Sequence, residues 1–161
     1  SRQAAVLSLQ ALPIIHMAPT NSGLRRNLSL ASLFAGLAIS QTRTSICHSI
    51  SYPLTLKYGI AHGMACSFSM LEVFKYNSAF IEDDIDSIRL HINQDPYIVL
   101  KAIFRQHGIH SYLAKLLPEK SSFSESIDDF ITAGRFENNI RKCVRSDLIR
   151  IITDSYDSLI K

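Results

Sequence analysis

Two histidines, His48 and His62, stand fourteen positions apart within Ala35 to Met70, the stretch richest in chemically capable side chains. Between them lie a helical stretch, Pro53 and a turn at Tyr58-Gly59, and His62-Gly63 reads as the start of another helix. Neutral imidazole is the commonest protein ligand for zinc and also suits Fe(II). A histidine inside one helix and a histidine opening the next can meet on a single cation across a helix–turn–helix. The spacing leaves a plainer account open. Six histidines make fifteen pairs, so a workable separation arises by chance, and structural metal sites show four protein ligands and catalytic ones three. Cys47 and Cys66 flank the pair, as redox thiols, as ligands, or as the small buried hydrophobes that free cysteines more often are.

Other chemistries find less to work with. His16, His91, His107 and His110 are expected on helix surfaces or ends, since histidine is commonly part-exposed. Asp83-Asp84 lacks the His-Asp dipeptide of the metal-dependent phosphohydrolases. The chain has no Gly-x-Ser-x-Gly elbow. It also has no Gly-rich phosphate loop of the GxGxxG or GxxxxGK type.

The elements that must position these residues read as helices nearly throughout. Val6, Leu9 and Leu12 recur at helical spacing, with Pro13 marking a kink or an end. Asn27 to Ser40 puts Leu30, Leu33, Phe34, Leu37 and Ala38 on one face. Ile81, Ile85, Ile88 and Ile92 form a stripe whose first turn carries Glu82, Asp83 and Asp84, where the helix dipole favours anions. Asp95-Pro96 reads as an N-cap with proline at the first helical position, and Gly108 closes that helix. Ser124 and Gly134 bracket Ile127, Phe130 and Ile131. A last amphipathic helix starts at Ser146. Strand signals are nearly absent. The expectation is a single all-α domain of seven to nine helices, with loops near 18–26, 77–80 and 118–123.

Composition agrees with a packed globule. The 161 residues are 47% apolar and 19% charged, and a chain of this size buries roughly 68–70% of its unfolded surface without a staple. The formal charge of +3, from 17 basic and 14 acidic residues, is too small and scattered for a nucleic-acid partner. Leu28 to Ile39, the most apolar stretch, has 12 residues including two serines. That is too short to span a bilayer, so no membrane partner is expected. Cys47, Cys66 and Cys143 are odd in number and lack CxxC spacing, which fits reduced thiols in the cytoplasm. The chain opens Ser1-Arg2-Gln3-Ala4-Ala5, without Met and as if already in a helix, so its true start is expected upstream.

Taken in order, Ala35-Gly36-Leu37-Ala38, then His48, then His62-Gly63 resembles the second domain of the group III, iron-containing alcohol dehydrogenases. That family runs from a small-residue-rich helix to a histidine, with a His-Gly that opens the next helix fourteen positions on. The tail Gly134-Arg135-Phe136-Glu137-Asn138-Asn139, then Ser146-Asp147-Leu148-Ile149 and Tyr156, looks like the family's closing loop and last helix. Where the family often has a second histidine four residues after the first, this chain has Tyr52; where it usually has proline before His-Gly, this chain has Ala61. His48-Ser-Ile-Ser-Tyr-Pro-Leu-Thr55 is similar to the branch that includes phosphonoacetaldehyde reductases.

The resemblance implies an all-α, dehydroquinate synthase-like domain over 1–161, the metal- and substrate-binding half of a two-domain enzyme whose nucleotide-binding half is absent. It implies that His48 and His62 are two of four ligands to Fe(II) or Zn(II), the other two lying upstream. NAD or NADP would be bound mainly by the absent domain, and the chain alone would be inactive and bind metal poorly. Tyr52 would stand near the nicotinamide and the substrate. Arg43 and Thr44 would hold an anionic group of a small aldehyde or alcohol, such as a phosphonate. A homo-oligomer fits the same picture. The rival expectation is a stand-alone helical interaction domain that has kept the shape without the catalysis.

Overall fold

A computed structural model describes residues 1–160, and all of their side chains but those of Ser124, Glu125 and Ile160. In chain order the helices are α1 (Arg2–Ile15), α2 (Ser22–Thr42), α3 (Ile46–Tyr58), α4 (His62–Phe68), α5 (Met70–Asn77), α6 (Glu82–Ile92), α7 (Pro96–Gln106), α8 (Ile109–Leu116), α9 (Lys120–Glu125) and α10 (Arg145–Ile160). Short 3-10 turns stand at Ser78–Phe80 and Ile127–Phe130. No strand occurs among the described residues, as an all-α fold requires.

Capping side chains set several of these boundaries. Asp95 Oδ1 accepts from the Tyr97 and Ile98 amides at 2.9 and 3.3 Å, with Pro96 at the first helical position. Asn21 Oδ1 accepts from Leu24 N at 3.0 Å, so α2 begins at Ser22 rather than at Asn27, and the connection before it spans only 16–21. Pro13 sits inside α1 without ending it. The helix expected between Ser124 and Gly134 is instead α9, a 3-10 turn, and an extended Ile131. A side chain competes with the helical ladder there. Ser49 Oγ donates to the Phe130 carbonyl, and the Gly134 amide donates to Glu137 Oε2.

The chain forms two compact units. In the first, Ser1–Arg43 with Ile81–His107, α1 packs against α2, α6 and α7 and buries Ala4, Ala11, Ala31, Val99, Ile103 and Phe104. Leu33 and Leu37 of α2, expected on its buried face, are exposed, and the small Ala31 is the residue that packs inward. His16, His91 and His107 lie exposed at or near helix ends. No described helix is long and apolar enough to cross a membrane.

The second unit, Thr44–Phe80 with the chain from Gly108 onward, carries the histidine pair. Here α3 packs on α4 and on the Ile127–Phe130 turn, and α10 packs on α5, α8 and α9. Ile46, Ile50, Leu54, Ile60, Leu113 and Leu148 are fully buried, each contributing about 1.5–3 kcal/mol relative to exposure. Phe123 packs its ring 5.8 Å from Phe68, 5.8 Å from Phe130 and 5.7 Å from Tyr156.

The loop before α10 is held by polar contacts. Asn77 and Asn139 exchange amide hydrogen bonds at 3.1 and 2.7 Å. The Arg141 guanidinium lies 4.0 Å over the Tyr76 ring. The Tyr76 hydroxyl reaches Lys142 O at 2.8 Å and Asp147 Oδ2 at 2.9 Å. Burial, then the Asp147 contact, pushes that hydroxyl up to about 12, so it stays a donor. Burial opposes ionisation of Asp147, but the Val144 amide, the Tyr76 hydroxyl, Arg150 and Arg141 outweigh it and hold its carboxyl below the ordinary range. Tyr76→Phe should cost about 1.5–3 kcal/mol in urea unfolding at neutral pH, the usual range for a hydrogen bond to a charged group. A carboxyl depressed by folding adds stability above its unfolded value of about 3.9, and that stability is lost as pH falls through the folded value. The gap between wild type and variant should therefore narrow below about pH 3.9; a gap that stays constant into acid would show that the hydroxyl does not support the Asp147 charge.

Candidate metal centre

His48 is the third residue of α3 and His62 the first of α4, so their meeting depends on how the chain turns between them. Gly59 ends α3 in the left-handed region, φ 66°, where a side chain is disfavoured. Its amide donates to Thr55 O at 3.1 Å, and the Ile60 amide to Leu54 O at 3.4 Å. Ile60 then enters the core, fully buried, and α4 starts two residues later. The imidazoles end with ring centroids 5.4 Å apart, edge to face. The two histidines thus meet across the helix–turn–helix.

Cys66 joins them. It lies four residues after His62 on α4, and its Sγ is 3.7 Å from His62 Nε2. The metal-ligating atoms of His48, His62 and Cys66 all lie within 4.8 Å of one another. Two imidazoles and a thiol so placed are a donor set that suits a borderline divalent ion, so the residues fit the metal that the family resemblance implied. His48 is half-buried, His62 exposed and Cys66 buried, leaving the cluster open to solvent on the His62 side.

The surrounding charge favours the ligand form of His48. Burial, then the neighbouring His62, then the Arg135 guanidinium hold its imidazole below the ordinary histidine value, and hence neutral. Burial pushes the Cys66 thiol up, with Ser51 pulling the other way. Cys47, which packs against the core, is pushed by burial to about 12 and is chemically quiet.

Tyr52 lies one turn beyond His48, its ring stacked on His62 at 5.9 Å between centroids. Arg135, quoted only as part of the tail motif in the sequence, comes 4.8 Å over the other partner in this stack, the Tyr52 ring. Its Nε donates to Thr44 Oγ1 at 3.2 Å, while Asn138 Nδ2 donates to Thr44 O at 3.1 Å. Thr44 is thereby tied to the tail loop. Tyr52, Pro53, Leu56, Lys57, Asp129, Thr132 and Arg135 line an open groove of about 430 Å³, with Lys57 paired to Asp129. Arg43 closes α2, exposed, at φ 65° and ψ −175°. Nothing in sequence spacing relates Tyr52 to a residue eighty-three positions later, so Arg135 could be noticed only as the one cation in the GRFENN motif.

Ser49 places this loop. Fully buried on α3, it donates to Phe130 O at 2.5 Å and accepts from the Thr132 amide at 2.8 Å, fixing the segment that leads to Arg135. Ser49→Ala should leave a buried carbonyl and a part-buried amide without partners, at about 1–3 kcal/mol for a fully buried group and less for the amide. Denaturant unfolding should therefore show a loss of about 2–4 kcal/mol. A change below about 0.5 kcal/mol, the level of a neutral surface substitution, would mean that the loop does not depend on this residue.

Residues 1–156 match the Fe-containing alcohol dehydrogenase family, C-terminal. A phosphonoacetaldehyde reductase of Streptomyces viridochromogenes is 40% identical over 76 residues, covering 47% of this chain and 19% of that protein. Among solved structures, a 1,3-propanediol oxidoreductase superposes with a TM-score of 0.85 at 19% identity, over 96% of this chain and 44% of the other. An iron-containing alcohol dehydrogenase of Thermotoga maritima gives 0.70 at 20% identity, over 97% and 47%. The chain thus spans less than half the length of each of these relatives. At these identities the two structures speak for the fold; with 156 of 161 residues matched to the family itself, the chain belongs to the Fe-containing alcohol dehydrogenase family, to its C-terminal part.

Proposed function

We propose that this chain is the metal- and substrate-binding part of an NAD(P)-linked alcohol dehydrogenase or aldehyde reductase. The observation that carries the reading is the convergence of His48 and His62, fourteen residues apart, into one solvent-open cluster. A divalent ion held there would act as a Lewis acid on a carbonyl or alcohol oxygen. NAD or NADP would exchange the hydride from a nucleotide-binding domain that the relatives' greater length can accommodate.

The chain's own residues would do the holding and orienting. His48 stays neutral and so available as a ligand. Tyr52, stacked on His62, would fix that ring, and it also lines the neighbouring groove. For the substrate, the partial match to a phosphonoacetaldehyde reductase favours an aldehyde bearing an anionic group. We assign that group to Thr44 and Arg135, whose planar guanidinium suits bidentate recognition of a phosphonate. Arg43, next to Thr44 in the chain, is the competing cation for the same role.

Calorimetry with Zn(II) tests the metal. One ion should bind per chain, weakly, as expected of a chain holding only part of the ligand set, and His48→Ala or His62→Ala should each weaken binding further by at least ~10-fold, the lower range seen even for outer-shell changes. Binding that survives both substitutions would end the reading. Methylphosphonate titrated into the zinc-loaded chain, followed by NMR, tests the anion. Arg135→Gln should abolish the response and Arg43→Ala leave it; the reverse result would return the role to Arg43.

A further inference from the structure

We propose that Cys66 is a third ligand that this chain supplies to the metal, beside His48 and His62, and that its thiolate favours zinc-like ions. The inference rests on the metal reading above and deepens it: the chain would hold the ion with three groups of its own, two imidazoles and a thiolate.

Three observations carry it. The first is periodicity: His62 and Cys66 are four apart on α4, so they lie one above the other on the same helix face. The second is distance. A tetrahedral ion with nitrogen at about 2.0–2.1 Å and sulfur at about 2.3 Å sets those two ligand atoms about 3.6 Å apart. Cys66 Sγ and His62 Nε2 are 3.7 Å apart. All three ligand atoms lie within 4.8 Å of one another, within reach of a common ion by small side-chain rotations.

The third is the hydrogen bonding behind His62. Ser51, fully buried on α3, donates its hydroxyl proton to His48 O at 2.8 Å. With that proton committed its oxygen accepts, and both His62 Nδ1, at 3.4 Å, and the Cys66 thiol stand beside it. A proton on Nδ1 leaves the lone pair on Nε2, the nitrogen that faces Cys66. Ring orientation set by a bond to the other nitrogen is the usual support of a histidine ligand. The Cys66 sulfur is directed at His62 Nε2. Cys47 is the contrast: it packs on the core and is not part of the cluster.

Ligation would replace the S–H bond with a sulfur–metal bond, the thiol proton passing to solvent as a water leaves the ion, with no change of oxidation state. A thiolate in the set favours Zn(II) and Co(II) over Mg(II) and Mn(II).

The test uses the chain itself, reduced and stripped of metal, with Co(II) as the spectroscopic probe. Wild type should show visible d–d bands together with a near-ultraviolet thiolate-to-cobalt charge-transfer band. Cys66→Ser should lose the charge-transfer band, and Zn(II) affinity should drop at least ~10-fold; Cys47→Ser should change neither. If the d–d bands appear without the charge-transfer band, or the band persists in Cys66→Ser, the thiolate inference fails and the histidine reading stands. If wild type binds no Co(II) or Zn(II), both fail. Zn(II) protection from iodoacetamide, mapped by mass spectrometry on the wild-type chain, removes any dependence on a variant's folding. Cys66 should be shielded by Zn(II) and Cys143 unaffected; equal labelling of Cys66 with and without zinc would overturn the proposal.

Discussion

The second unit depends on one reversal of the chain. Between His48 and His62 the backbone must leave α3, turn, and enter α4 within a few residues, and it does so through Gly59 in the left-handed region. The turn is held on both sides. Leu54 before it and Ile60 after it are both fully buried in the same core, so the reversal and the hydrophobic packing require each other. Ala65 of α4 is fully buried too, and its small side chain lets α4 lie closely against α3. The imidazole pair is a consequence of this packing and adds little to holding it, since His62 is exposed.

A second layer of polar contacts fixes what surrounds the pair. Ser49 and Ser51 are consecutive inward-facing serines on α3, both fully buried, and they serve different ends. Ser49 binds the Phe130–Thr132 segment, which leads to Arg135. Ser51 binds the His48 carbonyl and stands behind His62. Where most buried helix positions carry aliphatic side chains, these two carry hydroxyls because backbone groups and an imidazole need partners there.

The electrostatic arrangement has a consistent direction. Arg135 lies on the Tyr52 ring, Tyr52 on His62, and His62 beside His48. Burial first, then His62, then the guanidinium at the end of this stack discourage a positive charge on His48 and favour its neutral imidazole. The same cation lies on an open groove that an anionic substrate group could enter. One residue thus bears on the metal side and on the substrate side of the proposed site.

The amino-acid sequence by itself determined the all-α class and most of the helices, and it singled out the histidine pair. Helical periodicity, Asp95-Pro96, Gly59 and Gly108 are local signals, and local backbone chemistry answers to them wherever the chain lies. The family motif was legible for a like reason, because the two histidines sit on consecutive helices joined by a short turn. Tertiary structure decided the rest. Whether Ile127 to Gly134 would form a helix depended on Ser49, some eighty residues away, taking the Phe130 carbonyl. Which apolar residues of α2 face inward depended on neighbours that its own periodicity does not specify, so Ala31 is buried while Leu33 and Leu37 are exposed. Cys66 could be read as ligand, redox thiol or core filler until its distance to His62 was known. Arg135 acquired a role only when folding laid it on Tyr52. Contacts between residues far apart in sequence leave no periodic trace, because they are set by how the helices pack and by no rule of spacing along the chain.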